Sequence, residues 1–142
     1  MTARCKVFLD SDVIISAAIS KKGAAQRVAT TPDISRYISN ISKKEVTIVA
    51  KRLEVELSNM KSVVGSCRTT TLKQKLPAIK KNFEKYTTDI NDTHIIAGAE
   101  KSKAQFLITY NTKHFKSERI KRDLGIIVLT PARLLQYLRS LQ

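Results

Sequence analysis

Two cysteines, no tryptophan and only twelve Asp and Glu occur in the 142 residues. Cys5 and Cys67 are too few for a disulfide scaffold, and neither sits in a Cys-x-x-Cys or Cys/His spacing that would announce zinc. They are read as reduced and structural. No apolar run approaches the roughly 20 residues needed to cross a bilayer, so no membrane partner is expected. The opening MTARCK is polar, and the apolar stretch behind it is cut by two aspartates, unlike a signal peptide; a cytoplasmic location is the expectation. Repeats, low-complexity tracts and linkers are also missing. A chain of this length buries a core without staples, and a single domain over residues 1–142 is expected.

The shortage of acids has its counterpart in 26 Lys and Arg, which leave a formal net charge of +14. A charge so far from zero attracts polyanions, and nucleic acid is the natural partner. There is no Lys-rich tail to suggest a disordered basic arm. The cations are interspersed in structured-looking segments, densest from Lys43 to Lys85, where eleven Lys and Arg face four Glu. Phosphate contacts with salt-sensitive affinity follow from such a surface.

Hydrophobic patterning orders the chain. Lys6 to Leu9 reads as a buried strand and Val13 to Ile19 as a helix, with an acidic turn between them. Ala24 to Thr30 is helix-compatible, Pro32 and Asp33 close it, and Arg36 to Ile38 suits a short strand. Val46, Val49, Ala50, Leu53, Leu57 and Met60 recur at three- and four-residue steps, which predicts one long amphipathic helix. Leu72, Leu76, Ile79 and Phe83 suggest another helical stripe, broken or kinked at Pro77. Ile90 to Lys103 is helical, Phe106 to Thr109 and Ile126 to Leu129 are β-rich, and Pro131 suits the first turn of a last helix over Ala132 to Leu141. Strands alternating with helices predict an α/β fold with a central, mainly parallel sheet flanked by helices. Ligands of such sheets bind beyond the carboxyl ends of the strands, where Asp10 and Asp12 follow one strand and Thr109, Tyr110 and Asn111 follow another.

The carboxylates carry the chemistry. In VFLDSDVI, Asp10 and Asp12 interrupt an apolar run, where an unpaired charge is costly. In TDINDTHIIAGAE, Asp89 and Asp92 open a helix whose Ile95, Ile96 and Ala99 suit the sheet. Asp89 is a good N-cap and Asp92 favours the helix dipole. Ser42-x-x-Glu45 matches a capping box. Yet carboxylates at strand ends and helix starts in a basic protein repel one another unless a cation joins them, and oxygen donors suit Mg²⁺ or Mn²⁺. An ion held by Asp10, Glu45 and Asp92 would activate water on a phosphodiester while Lys and Arg hold the polymer, the chemistry of a metal-dependent nuclease.

VFLDSDVIISA, an acid in the middle helix, and DINDTHIIAGAEKSKAQFLITYNTKHF together resemble the PIN-domain family, including its VapC-type toxins, over nearly the whole chain. The resemblance implies a first acid at Asp10 followed by Ser11 and Asp12, and a middle-helix Glu at Glu45, with Glu54 or Glu56 as alternatives if the register differs. It implies a third acid in Asp89-x-x-Asp92-x-His94, with Asp92 as the main ligand. Thr109 matches the family's Thr-x-Asp stretch, and Asn111 stands where Asp is common, which brings less charge to a second cation. The implied catalytic residues are Asp10, Glu45 and Asp92; the implied metal ligands add Asp12 and Asp89; Ser11, Thr109 and Asn111 support them. His94 is read as a packing or hydrogen-bonding residue and His114 as a surface or loop residue. The resemblance further implies an endoribonuclease acting on single-stranded or structured RNA, a homodimer and, for toxin members, a cognate antitoxin that blocks the acidic groove. Two other readings stay open: an RNA-binding module that has lost turnover, and a haloacid-dehalogenase-like phosphatase, which FLDSD also resembles although the later elements come in the reverse order.

Overall fold

The computed structural model describes residues 5–142. Five strands, β1 Cys5–Leu9, β2 Ile34–Ser39, β3 Arg68–Thr70, β4 Phe106–Ile108 and β5 Ile127–Leu129, form one sheet in the order β3-β2-β1-β4-β5. All four pairings are parallel. Helices α1 Ser11–Ile19, α2 Ala24–Thr30, α3 Asn40–Arg52, α4 Leu57–Gly65, α5 Leu76–Phe83, α6 Thr93–Lys101, α7 Ser117–Leu124 and α8 Pro131–Ser140 connect and follow the strands. The expected α/β architecture with a parallel sheet flanked by helices is the one observed.

Alternation along the central strands builds two cores. Val7 and Leu9 of β1, with Phe106 and Ile108 of β4, meet Val13, Ile14 and Ala17 of α1, Val28 of α2, Val46 of α3 and Leu134 of α8. Phe8 and Leu107 point the other way, against Ile95, Ile96 and Ala99 of α6 and Ile120 of α7. Covering both faces explains why these strands read as unbroken apolar runs rather than as alternating ones. The approach of α6 to β1 depends on Gly98, since a Cβ there would collide with the Phe8 ring.

Three sequence expectations are corrected. The long amphipathic helix is two helices: α3 ends at Arg52, and Glu54 takes a left-handed φ of 55°. Val55 N–H bonds the Ala50 carbonyl at 2.9 Å and Glu54 N–H bonds that of Lys51 at 3.2 Å, the paired closure of a Schellman turn. Glycine usually fills that left-handed position, so its absence hid the break. The stripe from Leu72 also divides, because α5 starts only at Leu76, with Pro77 in its first turn where a missing N–H costs nothing. Finally, the cap of α3 is Ser39, whose hydroxyl accepts from Ser42 N–H at 3.0 Å; Ser42 and Glu45 form no capping box.

The strand order reverses at β1, with β2 on one side and β4 on the other. Crossovers leave this point in opposite directions, opening a crevice at the carboxyl ends of β1 and β4. Asp10 stands directly after β1 and Thr109 directly after β4.

Candidate active site

The crevice is stitched from both strand ends. Asp10 N–H bonds the Ile108 carbonyl at 3.0 Å, and the Thr109 hydroxyl donates to Asp10 Oδ2 at 2.9 Å. Asp10 Oδ1 accepts from Ser11 N–H at 2.7 Å, so this carboxylate also caps α1. One turn of loop later, Tyr110 N–H and Asn111 Nδ2 donate to Asp12 Oδ2 at 3.1 and 3.2 Å. Asn111 N–H in turn donates to the Thr109 hydroxyl at 3.0 Å. The segment after β4 therefore holds both aspartates after β1 in fixed orientation.

Glu45 arrives from α3. Its Oε1 accepts from the Ser11 hydroxyl at 2.7 Å and its Oε2 lies 2.9 Å from His94 Nε2 on α6. These bonds hold the Glu45 carboxyl below its usual range, the His94 bond being the largest cause. Because Glu45 stays ionised, His94 Nε2 is the donor of this bond, while its buried Nδ1 has no hydrogen-bond partner. Asp89 caps a single 3₁₀ turn over Ile90–Asp92, its Oδ1 accepting from Asn91 N–H at 2.9 Å. Asp92 precedes α6 without capping it through its side chain. His114 Nδ1 lies 3.4 Å from Asp92 Oδ2 without forming a hydrogen bond.

These groups line one cleft of about 570 Å³: Asp10, Ser11, Asp12, Glu45, Asp89, Asp92, Asn111 and His114 at its polar end, and Ile15, Ile19, Val49 and Leu53 along its wall. Of the three middle-segment candidates only Glu45 reaches it. Glu54 lines a separate apolar groove between α3 and α4, and Glu56 accepts from Ser58 at the start of α4. The apolar wall and the two-sided anchoring of Glu45 were not read from the sequence. The wall had a signal, the i, i+4 spacing of Ile15 and Ile19 on α1 and of Val49 and Leu53 on α3. The His94–Glu45 bond had none, since its partners stand 49 positions apart.

The cleft is electrostatically strained. Burial and then the neighbouring Asp12 charge push Asp10 up to about 7, and Asp92 adds to the rise. Asp12 is raised, chiefly by burial, and so is Asp92, by burial and then by Asp89. Two buried carboxylate oxygens, Asp12 Oδ1 and Asp92 Oδ2, accept no hydrogen bond. An orphaned anionic oxygen in a low-dielectric site costs free energy that a hard cation would offset. The donor set therefore fits Mg²⁺ or Mn²⁺ in kind. Among the described residues, however, no three His, Cys, Asp or Glu side chains are drawn together as a finished metal cage.

The PIN domain family model matches residues 6–113. A comparison with curated proteins finds no match. Among solved structures, the chain is similar to a toxin-antitoxin complex from Klebsiella pneumoniae, with a TM-score of 0.62 and 23% identity over 88% of this chain and 97% of that one. VapBC2 from Rickettsia felis, bound to a DNA fragment from its promoter, gives a TM-score of 0.60 and 15% identity over 88% and 98%. A protein from Pyrobaculum aerophilum gives 0.59 and 14% over 96% of each chain. At these identities the structural likenesses speak for the fold, and the family model, which covers most of the chain, speaks for descent. The chain belongs to the PIN domain family.

Proposed function

We propose that this chain, as one domain, is a metal-dependent endoribonuclease that cleaves phosphodiester bonds of single-stranded or structured RNA. Membership of a family of nucleases supports hydrolysis of nucleic acid, and the net charge of +14 supports a polyanionic substrate. The observation that carries the reading is the pair of buried oxygens of Asp12 and Asp92 that accept no hydrogen bond, in the cleft where Asp10 is pushed to about 7. Mg²⁺ or Mn²⁺ in that cleft would acidify a water and neutralise charge building on the phosphate. Asp10, Asp12 and Asp92 are its proposed holders, with Asp89 at the rim. Glu45, kept ionised by His94 and Ser11, is the proposed fifth acid and a fixed negative pole. Thr109 and Asn111 act by orienting Asp10 and Asp12.

The test is cleavage of single-stranded and hairpin RNA with Mg²⁺, Mn²⁺ or chelator, comparing wild type with Asp10→Asn and Asp92→Asn. Each substitution is expected to cost more than the roughly 10–100-fold typical of losing a group that merely supports a metal ligand. One observation favours a second reading, a binding module without turnover: Asn111 is neutral where an acid is common, and its amide is spent on Asp12. Wild-type protein that binds RNA yet never cuts it with either ion would establish that alternative. The haloacid-dehalogenase-like reading loses its support to the PIN family match.

Toxin-antitoxin complexes among the similar structures support a cognate antitoxin as partner. Growth arrest on expression, relieved by co-expressing the neighbouring reading frame, checks this. A homodimer is also proposed, and light scattering of the purified protein decides it. A cytoplasmic location is proposed as well; among the described residues no helix is long and apolar enough to cross a membrane.

A further inference from the structure

The acidic cleft continues along α1. Asp12, Ile15, Ser16, Ile19 and Ser20 all line it, spaced as one helical stripe from the first turn to the residue after the helix. At that far end the lining changes character. Lys21, Lys22, Arg27 and Arg139, exposed on the α1–α2 turn, α2 and α8, ring a second cleft of about 470 Å³ with no Asp or Glu in its lining. Among the described residues none of the four forms an ion pair. The turn that carries the lysines is ordered: the Ser20 hydroxyl donates to the Lys22 carbonyl at 2.8 Å and accepts from Lys22 N–H at 3.2 Å. Gly23 then takes a φ of 100° that a side chain would resist, although the space beside it is open. Four uncompensated cations in one concavity repel each other, and an anion relieves them.

The acidic pole and the aliphatic wall thus lie along the nine residues of α1, about 14 Å at the usual helical rise, and the basic cleft begins at the turn beyond its last residue. A single RNA strand supplies the matching order: a phosphate to be cut, base faces to lie on the exposed Ile19 and Leu53, and a further phosphate beyond. We infer that Lys21, Lys22, Arg27 and Arg139 form a distal subsite for a backbone phosphate of the substrate, a few nucleotides from the scissile bond, which fixes strand direction and minimum length. The inference rests on the nuclease reading above.

Fluorescence anisotropy on the full chain carrying Asp92→Asn, which keeps RNA intact, tests it with single-stranded oligonucleotides from a dinucleotide upward. Affinity is expected to step up once the strand is long enough to span α1. Joint reversal by Lys21→Glu, Lys22→Glu, Arg27→Glu and Arg139→Glu removes that step, and the log-log salt slope flattens by about 0.7 for each phosphate no longer neutralised. Reversal of four other exposed cations, Lys73, Lys75, Lys81 and Lys121, makes the same change in net charge and keeps the step. Should the reversed protein fail to fold, the four-fold Gln variant is measured instead. Equal weakening by both sets, or equal competition by oligoglutamate of the same charge, overturns the subsite. Unchanged length dependence also overturns it and leaves the nuclease reading intact, whereas failure of the parent to bind any RNA sinks that reading itself.

Discussion

At the level of single residues, the site's character comes from which carboxylate oxygens are satisfied. Both oxygens of Glu45 are held, one by Ser11 and one by His94, while Asp12 Oδ1 and Asp92 Oδ2 are buried and accept no hydrogen bond. Ser11→Ala should lower stability to urea by about 1 kcal/mol, the ordinary worth of such a bond, and let the Glu45 carboxyl drift up toward its usual range, visible by carbon-detected NMR titration. Asp10 gives a pH dependence of definite sign. Its folded value of about 7 lies above the ordinary 3.8, so between those values the folded protein keeps a proton the unfolded chain has lost. The metal-free protein should therefore lose thermal stability as pH rises from about 4 through about 7, and saturating Mn²⁺ should reverse the trend by displacing that proton; a rise without metal would refute the assignment. Asn111→Asp places a second anion 3.2 Å from Asp12 Oδ2 in place of a donor. It should lower the melting temperature without metal and enlarge the upward shift on adding Mn²⁺. Asp10, Asp12, Asp92, Thr109 and Asn111 were legible in the sequence because each adjoins a strand end or helix start. The partners of Glu45 were not, because hydrogen bonds across 34 and 49 positions leave no local pattern.

Among the elements, stability at helix ends and helix faces decides the positions of those residues. α3 and α6 both close with left-handed residues that are not glycine, Glu54 at φ 55° and Lys103 at φ 56°. In α6 the Ala104 N–H reaches the Ala99 carbonyl at 3.0 Å and Lys103 N–H reaches Glu100 at 3.0 Å, the same closure as in α3. A left-handed L-residue costs roughly 1–2 kcal/mol, and glycine's greater unfolded freedom returns only part of that, so Lys103→Gly should raise the melting temperature slightly. Gly98→Ala works in the opposite sense: its methyl would strike the Phe8 ring in a fully buried layer, and the loss should be about 1–3 kcal/mol by chemical denaturation. Combining it with Phe8→Leu should recover part of that loss, because the two side chains compete for the same space. Apolar periodicity made α1, α2 and α8 readable nearly to their ends. It ran through the α3–α4 break, since periodicity counts side chains and the break is a backbone event. The helix α7 went unread although Gly125, left-handed at φ 69°, marks its end, because SERIKRDL offers a single buried apolar residue, Ile120.

For the molecule as a whole, the distribution of charge matters more than its sum. Five of the twelve acids line the cleft at the switch point of the sheet, and no Lys or Arg lines it, so a polyanion is drawn to the basic surface at large and repelled most strongly at the cleft. RNA binding by the Asp10→Asn protein should accordingly weaken linearly on a log-log plot against salt, with about 0.7 in slope for each phosphate neutralised; a flat response would argue against a backbone-reading surface. The sequence by itself determined the class of fold, through apolar strands alternating with helices, and placed acids at element ends in a basic chain. Tertiary structure alone decided which acids share the cleft, why Glu45 rather than Glu54 or Glu56 lines it, and which oxygens accept no hydrogen bond. The physical reason is that local patterns report what each segment buries, whereas the crevice is made by strand order, a long-range property that pairs β1 with β4 across nearly a hundred residues of intervening chain.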